Sequence, residues 1–178
     1  TRLKEAMRHI SSGNLSKAED LCRHVLKTDS QQPQALHFLG VIAFKSQSYQ
    51  AAIDLISKSL EIDPLNADAF SNLGLAYQAL GLLDEAIQNY KKATSIGCDD
   101  AQVYFNLGTA LQFQNKLEDA VSRYQKALEI SPDFTQALYN LGNIMRIQNR
   151  PSDAVEYFQR ARSLQPKNER IAANLGFS

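Results

Sequence analysis

The stretch Phe70–Leu80, FSNLGLAYQAL, contains an Asn-Leu-Gly tripeptide whose Leu-Gly part recurs along the whole chain. The recurrences are spaced by 34 residues, at Leu39-Gly40, Leu73-Gly74, Leu107-Gly108, Leu141-Gly142 and Leu175-Gly176. A fixed period of this size is the signature of stacked structural repeats. The stretch also raises a question, because asparagine is a poor residue for a helix interior.

Other positions keep the same 34-residue step, so the repeat is more than one tripeptide. A small-residue column consists of Ala18, Ala52, Ala86, Ala120 and Ala154. A bulky column lies four residues later, at Cys22, Ile56, Tyr90, Tyr124 and Phe158. A second small column consists of Ser59, Ala93, Ala127 and Ala161. We expect the small residues to let helices approach closely and the bulky ones to fill the space between them.

Each repeat is predicted to contain two helices. Phe70, Leu73, Gly74, Tyr77 and Leu80 have the spacing of one helical face. A turn column follows the first helix, at Gly13, Gln47, Gly81, Asn115 and Asn149, and mostly holds residues that tolerate a left-handed backbone. Prolines after the second helix, at Pro64, Pro132 and Pro166, should end it, with Gly97 doing so where Cys98 replaces proline.

This arrangement resembles the tetratricopeptide repeat family. The resemblance covers a degenerate repeat at 1–32, complete repeats at 33–66, 67–100, 101–134 and 135–168, and a partial repeat at 169–178. The family's tryptophan is missing from every repeat, and its position holds Leu36, Phe70, Tyr104 and Leu138. The resemblance implies an all-α fold, a single right-handed α-solenoid of helix-turn-helix repeats over 1–178, with first helices lining a concave groove.

Composition narrows the function classes. Nineteen basic and nineteen acidic residues give a formal net charge of +0, which argues against a nucleic-acid binder. No apolar run is long enough to cross a membrane, so membrane insertion is not expected. Cys22 and Cys98 show no paired or zinc-binding spacing, as in a reducing compartment. We therefore predict a cytoplasmic location, although the chain begins with threonine and has the character of a fragment.

The sequence contains no recognisable catalytic or metal-binding motif. The histidines are His9, His24 and His37, and none has a cysteine or carboxylate at a metal-ligand spacing. The glycines belong to repeat columns or turns, so no phosphate-binding loop is indicated. We expect no cofactor, no metal site and no enzyme activity in this segment.

A second stripe on the first helices, which we call the groove face, carries the candidate binding residues. By the resemblance it faces the groove and aligns an asparagine row of Asn72, Asn106, Asn140 and Asn174. The same face carries Phe38, Phe44, Phe105, Phe113, Tyr139, Asn143 and Arg146. The row resembles the asparagine ladder of the O-GlcNAc transferase superhelix.

Two explanations of the asparagines remain open at the level of sequence. A side-chain amide can hold the N–H and C=O of an extended peptide without reading its sequence. Alternatively, each asparagine bonds to the neighbouring repeat. The aromatic residues could likewise be ligand anchors or interhelical packing.

The predicted function is a non-catalytic protein–protein interaction module that binds an extended partner segment in its groove. One alternative is the substrate-recognition arm of a larger enzyme, such as a glycosyltransferase. Another is a self-assembling scaffold, in which the convex face or an uncapped C-terminal end at Leu175 and Phe177 binds another copy.

Overall fold

The computed structural model describes residues 1–168, which form ten α-helices and no strand. Contacts divide the chain into two compact units, Thr1–Cys98 and Asp99–Ser178. The first unit contains α1 (Arg2–Ser11), α2 (Leu15–Thr28), α3 (Pro33–Lys45), α4 (Tyr49–Ile62), α5 (Ala67–Ala79) and α6 (Leu83–Ser95). The described part of the second contains α7 (Ala101–Phe113), α8 (Leu117–Ile130), α9 (Thr135–Ile147) and α10 (Pro151–Leu164).

The helices are paired, and the pairs repeat with the period of the sequence. The first helices of successive pairs begin at Pro33, Ala67, Ala101 and Thr135. Within each unit every helix packs against the next one along the chain. The predicted all-α class of helix-turn-helix repeats is therefore confirmed.

The turn inside each pair has the predicted left-handed residue. The φ angle is positive at Gly13, Gln47, Gly81, Asn115 and Asn149, with values between 56° and 78°. Non-glycine residues seldom adopt this conformation, and asparagine is among those that adopt it most readily. The second helices end where expected, since α4 and α8 stop two residues before Pro64 and Pro132, and Gly97, with a φ of 103°, follows α6.

Side-chain caps begin several first helices. The side chains of Gln32 and Asn66 accept a hydrogen bond from the backbone N–H three residues on, over 2.9 Å in each case. Asp100 accepts one from the N–H of Gln102 over 2.8 Å. Such bonds satisfy backbone donors that have no partner within the helix.

The glycine of Leu-Gly is explained by the bulky column. A methyl group placed on Gly74 would come within 2.7 Å of the Tyr90 ring, and one on Gly108 within 2.8 Å of the Tyr124 ring. Both tyrosines are fully buried. The glycine therefore allows a large ring of the second helix to pack directly on the backbone of the first helix. This contact explains why the glycine of Leu-Gly and the bulky column recur together.

One part of the predicted first-helix face is wrong. Leu73 and Gly74 are buried as expected, but Leu80 is 43% exposed. Helix α5 ends at Ala79, and Leu80 is its C-cap residue, beyond the last helical residue. Among residues 1–168, no helix is long and apolar enough to cross a membrane.

Candidate functional site

Asn72, the member of the asparagine row that lies in the first unit, contacts the preceding repeat. Nδ2 of Asn72 on α5 lies 2.9 Å from Nε2 of His37 on α3. His37 is 5% exposed, and burial lowers the pKa of its imidazole, partly opposed by the charge of Asp68. A neutral imidazole can accept the hydrogen bond at Nε2, so this asparagine connects two repeats.

Asn106, in the second unit, bonds within its own helix. Its Oδ1 accepts a hydrogen bond from Nε2 of Gln102, one turn earlier on α7, over 2.9 Å. Only 8% of Asn106 is exposed. The second unit therefore buries most of this residue rather than presenting it to solvent.

Asn140 belongs to a network that reaches into the core. Its Nδ2 donates to Oη of Tyr124 over 3.0 Å, and that hydroxyl donates in turn to Oε1 of Gln112 over 2.8 Å. The same hydroxyl lies 3.2 Å from Oγ1 of Thr109. Burial raises the pKa of the Tyr124 phenol, so it remains a protonated donor.

Two surface depressions share Asn140, and the described residues that line them all belong to the second unit. The first, which we call the Phe105 depression, has a volume of about 300 Å³ and is lined by Phe105, Thr135, Gln136, Tyr139, Asn140, Gln165 and Asn168. The second, the Phe113 depression, has a volume of about 330 Å³ and is lined by Thr109, Gln112, Phe113 and Asn140. Among the described residues, Asn140 is the member that the two share.

The predicted aromatic residues divide between these depressions and the hydrophobic core. Phe105 and Tyr139 line one depression, and Phe113, which is 72% exposed, lines the other. Phe38 is buried in the core of the first unit. Phe44 packs on Tyr49, with ring centroids 5.5 Å apart, and on a core cluster. Phe38 and Phe44 are thus held by intramolecular packing.

Packing also fixes the rings that line the Phe105 depression. The Phe105 ring lies 5.0 Å from that of Phe134 and 5.6 Å from that of Tyr124, measured between centroids. The Tyr139 ring lies 5.8 Å from that of Phe158. Phe105 and Tyr139 are each partly buried and partly exposed. Their rings are therefore held in place by packing while one side of each remains accessible from the depression.

The remaining predicted residues are not brought to these depressions. Asn143 is partly buried and Arg146 is exposed on α9, and neither lines them. Asn174, with Leu175 and Phe177 at the predicted C-terminal end, lies outside the described residues.

Three residues that line the Phe105 depression were not among the residues predicted from the groove face. Thr135 begins α9, while Gln165 and Asn168 follow α10. Gln165 and Asn168 lie in the segment after a second helix, whereas the groove face was drawn from the first helices alone. Asn168 shares its repeat column with the capping residues Asn66 and Asp100, and this column could have indicated the loop.

The titratable groups of the described residues offer little for chemistry. Within residues 1–168, no group of three His, Cys, Asp or Glu could hold a metal ion. Burial, with the charge of Glu19, raises the pKa of the Cys22 thiol to about 11. That sulfur stays protonated and unreactive, since the thiolate is the nucleophile.

Comparisons with solved structures identify the fold. MamA from Desulfovibrio magneticus RS-1 matches with a TM-score of 0.81 at 20% identity, covering 94% of this chain and 95% of that one. PilF of Pseudomonas aeruginosa matches with a TM-score of 0.89 at 19% identity, covering 97% and 79%. YrrB, described as a TPR protein with an unusual peptide-binding site, matches with a TM-score of 0.79 at 23% identity, covering 97% and 89%. At such identities these likenesses show the fold alone.

Sequence comparisons identify the family. The UDP-N-acetylglucosamine–peptide N-acetylglucosaminyltransferase of Caenorhabditis elegans is 32% identical over 80 residues, which are 45% of this chain and 7% of that protein. The chain therefore spans only a small part of that relative. Models of the tetratricopeptide repeat match residues 31–98, 65–133 and 105–169. The chain belongs to the tetratricopeptide repeat family, whose domains bind proteins or peptides.

Proposed function

We propose that the second unit holds an extended segment of a partner protein across the two depressions, with Asn140 contacting the backbone of that segment. The observation that carries this proposal is that Asn140 lines both depressions. Tetratricopeptide repeats are generally non-catalytic, so the segment acts by binding.

The hydrogen-bonding capacity of Asn140 suits this role. An asparagine amide has two N–H donors and an acceptor oxygen. Tyr124 accepts from Nδ2, and within residues 1–168 no other partner of the Asn140 side chain is found. One N–H and the oxygen therefore remain for a peptide C=O and N–H, and neither contact depends on the ligand's side chains.

The arrangement of the depressions suits an extended chain. Successive side chains of an extended peptide point to opposite sides of its backbone. A backbone that passes over Asn140 can therefore direct one side chain toward Phe105 and another toward Phe113. Main-chain bonds combined with side-chain pockets are a general mode of peptide recognition.

A second candidate function is that of a substrate-recognition arm within a larger enzyme. The observation that favours it is the 32% identity, over 80 residues, with a peptide N-acetylglucosaminyltransferase. The binding chemistry of the second unit would be the same in both cases. The complete gene distinguishes them, because a catalytic domain must be encoded elsewhere in the parent chain for this candidate to hold.

The test compares two asparagines of the same repeat column. A peptide is first identified by sequencing material bound to the immobilised protein, and its Kd is measured by calorimetry. Asn140→Ala should weaken binding by about 1–3 kcal/mol if two neutral hydrogen bonds are lost. Asn72→Ala is the matched control, because Asn72 bonds to His37 and lines neither depression. Equal affinity of the wild type and the Asn140 variant would contradict the proposal.

A further inference from the structure

The described residues that line the two depressions beside Asn140 carry no charged side chain. Their linings together comprise ten described residues, none of which is Asp, Glu, Lys, Arg or His. The chain is 21% charged, so ten residues taken at random would include about two charged ones. Exposed surface is richer in charge than the chain average, which makes this lining more distinctive.

The Phe105 depression in addition combines two kinds of neutral surface. Phe105 and Tyr139 supply partly exposed rings. Four side-chain amides also line it, from Gln136, Asn140, Gln165 and Asn168, and Nδ2 of Asn168 donates a hydrogen bond to Oε1 of Gln165 over 2.9 Å. Aromatic faces favour apolar and ring-shaped groups, and amides pair with amides, hydroxyls and peptide groups.

We propose that the second unit selects a partner segment without charged side chains, placing a ring, an amide or a hydroxyl group in the Phe105 depression. This inference rests on the proposed function and adds the chemical class of the ligand. A charged side chain would lose hydration in the depression without meeting an opposite charge among the described lining residues, and such burial is unfavourable. A cation could be attracted by the rings, but this attraction is smaller than the hydration free energy that the cation would lose on entering the depression.

The first experiment is a selection from a library of random peptides of about twelve residues, long enough to span about 40 Å when extended. The full chain is immobilised, and enriched peptides are sequenced after selection on the wild type and on Phe105→Ala. We expect the peptides that depend on Phe105 to be depleted in Asp, Glu, Lys and Arg by at least about threefold relative to the library. Phe105-dependent peptides that show no such depletion of charged residues would overturn the inference and leave the proposed function standing. No enrichment at all, or enrichment unaffected by Phe105→Ala and Asn140→Ala, would overturn both.

The second experiment changes the charge of the lining. Gln136 is exposed, so Gln136→Lys should leave the fold intact. The same library selected on Gln136→Lys should now yield peptides enriched in Asp and Glu, because the introduced cation supplies the missing countercharge. Gln125→Lys is the matched control, since Gln125 is an exposed residue of α8 that lines neither depression. An identical acidic enrichment on Gln125→Lys, or none on Gln136→Lys, would contradict the assignment of this depression as the selecting site.

Salt dependence gives an independent reading on any enriched peptide. Exposed charge pairs are screened strongly as ionic strength rises. For a neutral peptide, the Kd on the wild type should change by less than about twofold between about 50 mM and about 500 mM salt. On Gln136→Lys, the acidic peptides should lose affinity over the same range. A strong salt dependence on the wild type would show that charges recognise the ligand and would overturn the inference.

Discussion

The amide of Asn140, on the surface of α9, donates a hydrogen bond to the buried hydroxyl of Tyr124 on α8 over 3.0 Å. This bond connects the proposed ligand contact to the core of the repeat. The two explanations of the recurring asparagine are therefore compatible at this position. Half of the amide's donor capacity stabilises the stack, and the rest is available to a ligand.

The Tyr124 hydroxyl should matter for both stability and binding. Tyr124→Phe leaves Gln112 and Asn140 without their partner, so we expect a loss of about 1–3 kcal/mol of stability. It also frees the Asn140 amide to rotate, so peptide affinity should fall. Tyr90→Phe is the matched control, because the Tyr90 hydroxyl bonds only to Gln78 among the described residues. Calorimetric titration and urea unfolding of both variants measure the two effects, and equal binding losses would refute the positioning role of Tyr124.

The glycine of Leu-Gly should resist substitution. Alanine would normally favour a helix over glycine by about 1 kcal/mol. At Gly108 its methyl group would meet the Tyr124 ring at 2.8 Å, so we expect a net loss of about 1–3 kcal/mol from overpacking. The loss should be smaller when Gly108→Ala is combined with Tyr124→Leu than the sum of the two single losses. Urea unfolding of the four proteins completes the cycle, and simple additivity would mean that the ring does not lie on the glycine.

Acid should weaken the first unit through His37. Burial lowers the pKa of its imidazole below the ordinary value of 6.5, so the folded state favours the neutral form. The stability that His37 contributes is fully present above the unfolded-state pKa and is lost as pH falls through about 6.5 toward the folded-state value. Replacing His37 with Gln should therefore flatten the fall in melting temperature between about pH 7 and about pH 5. His24→Gln changes an exposed residue and should leave the fall unchanged, whereas an unaltered profile in His37→Gln would contradict this account.

The features of the fold that depend on one repeat were predictable from the sequence. The left-handed turn at Asn115 and the pairing of Gly108 with Tyr124 are both fixed by positions within a single helix pair. The repeat columns were sufficient to predict these features, because the same local geometry recurs every 34 residues.

The contacts of the asparagines were not predictable in the same way, because they depend on which residue type the preceding repeat places next to each asparagine. Asn140 meets a tyrosine hydroxyl in the bulky column, but the corresponding residue for Asn72 is Ile56, which has none. Asn72 instead reaches the imidazole of His37. The asparagine row thus makes different hydrogen bonds in different repeats. Only the three-dimensional structure shows which asparagine lines a depression.

The most direct test of the proposed ligand contact is the NMR signal of the Asn140 side-chain amide in the full chain labelled with ¹⁵N-asparagine. A peptide enriched in the selection is titrated in, and the side-chain amide signals of Asn140 and Asn72 are followed together. We predict that the Asn140 signals shift and that their hydrogen exchange slows, while those of Asn72 stay in place. Unchanged Asn140 signals in the presence of saturating peptide would contradict the assignment of this amide as the contact that holds the partner segment.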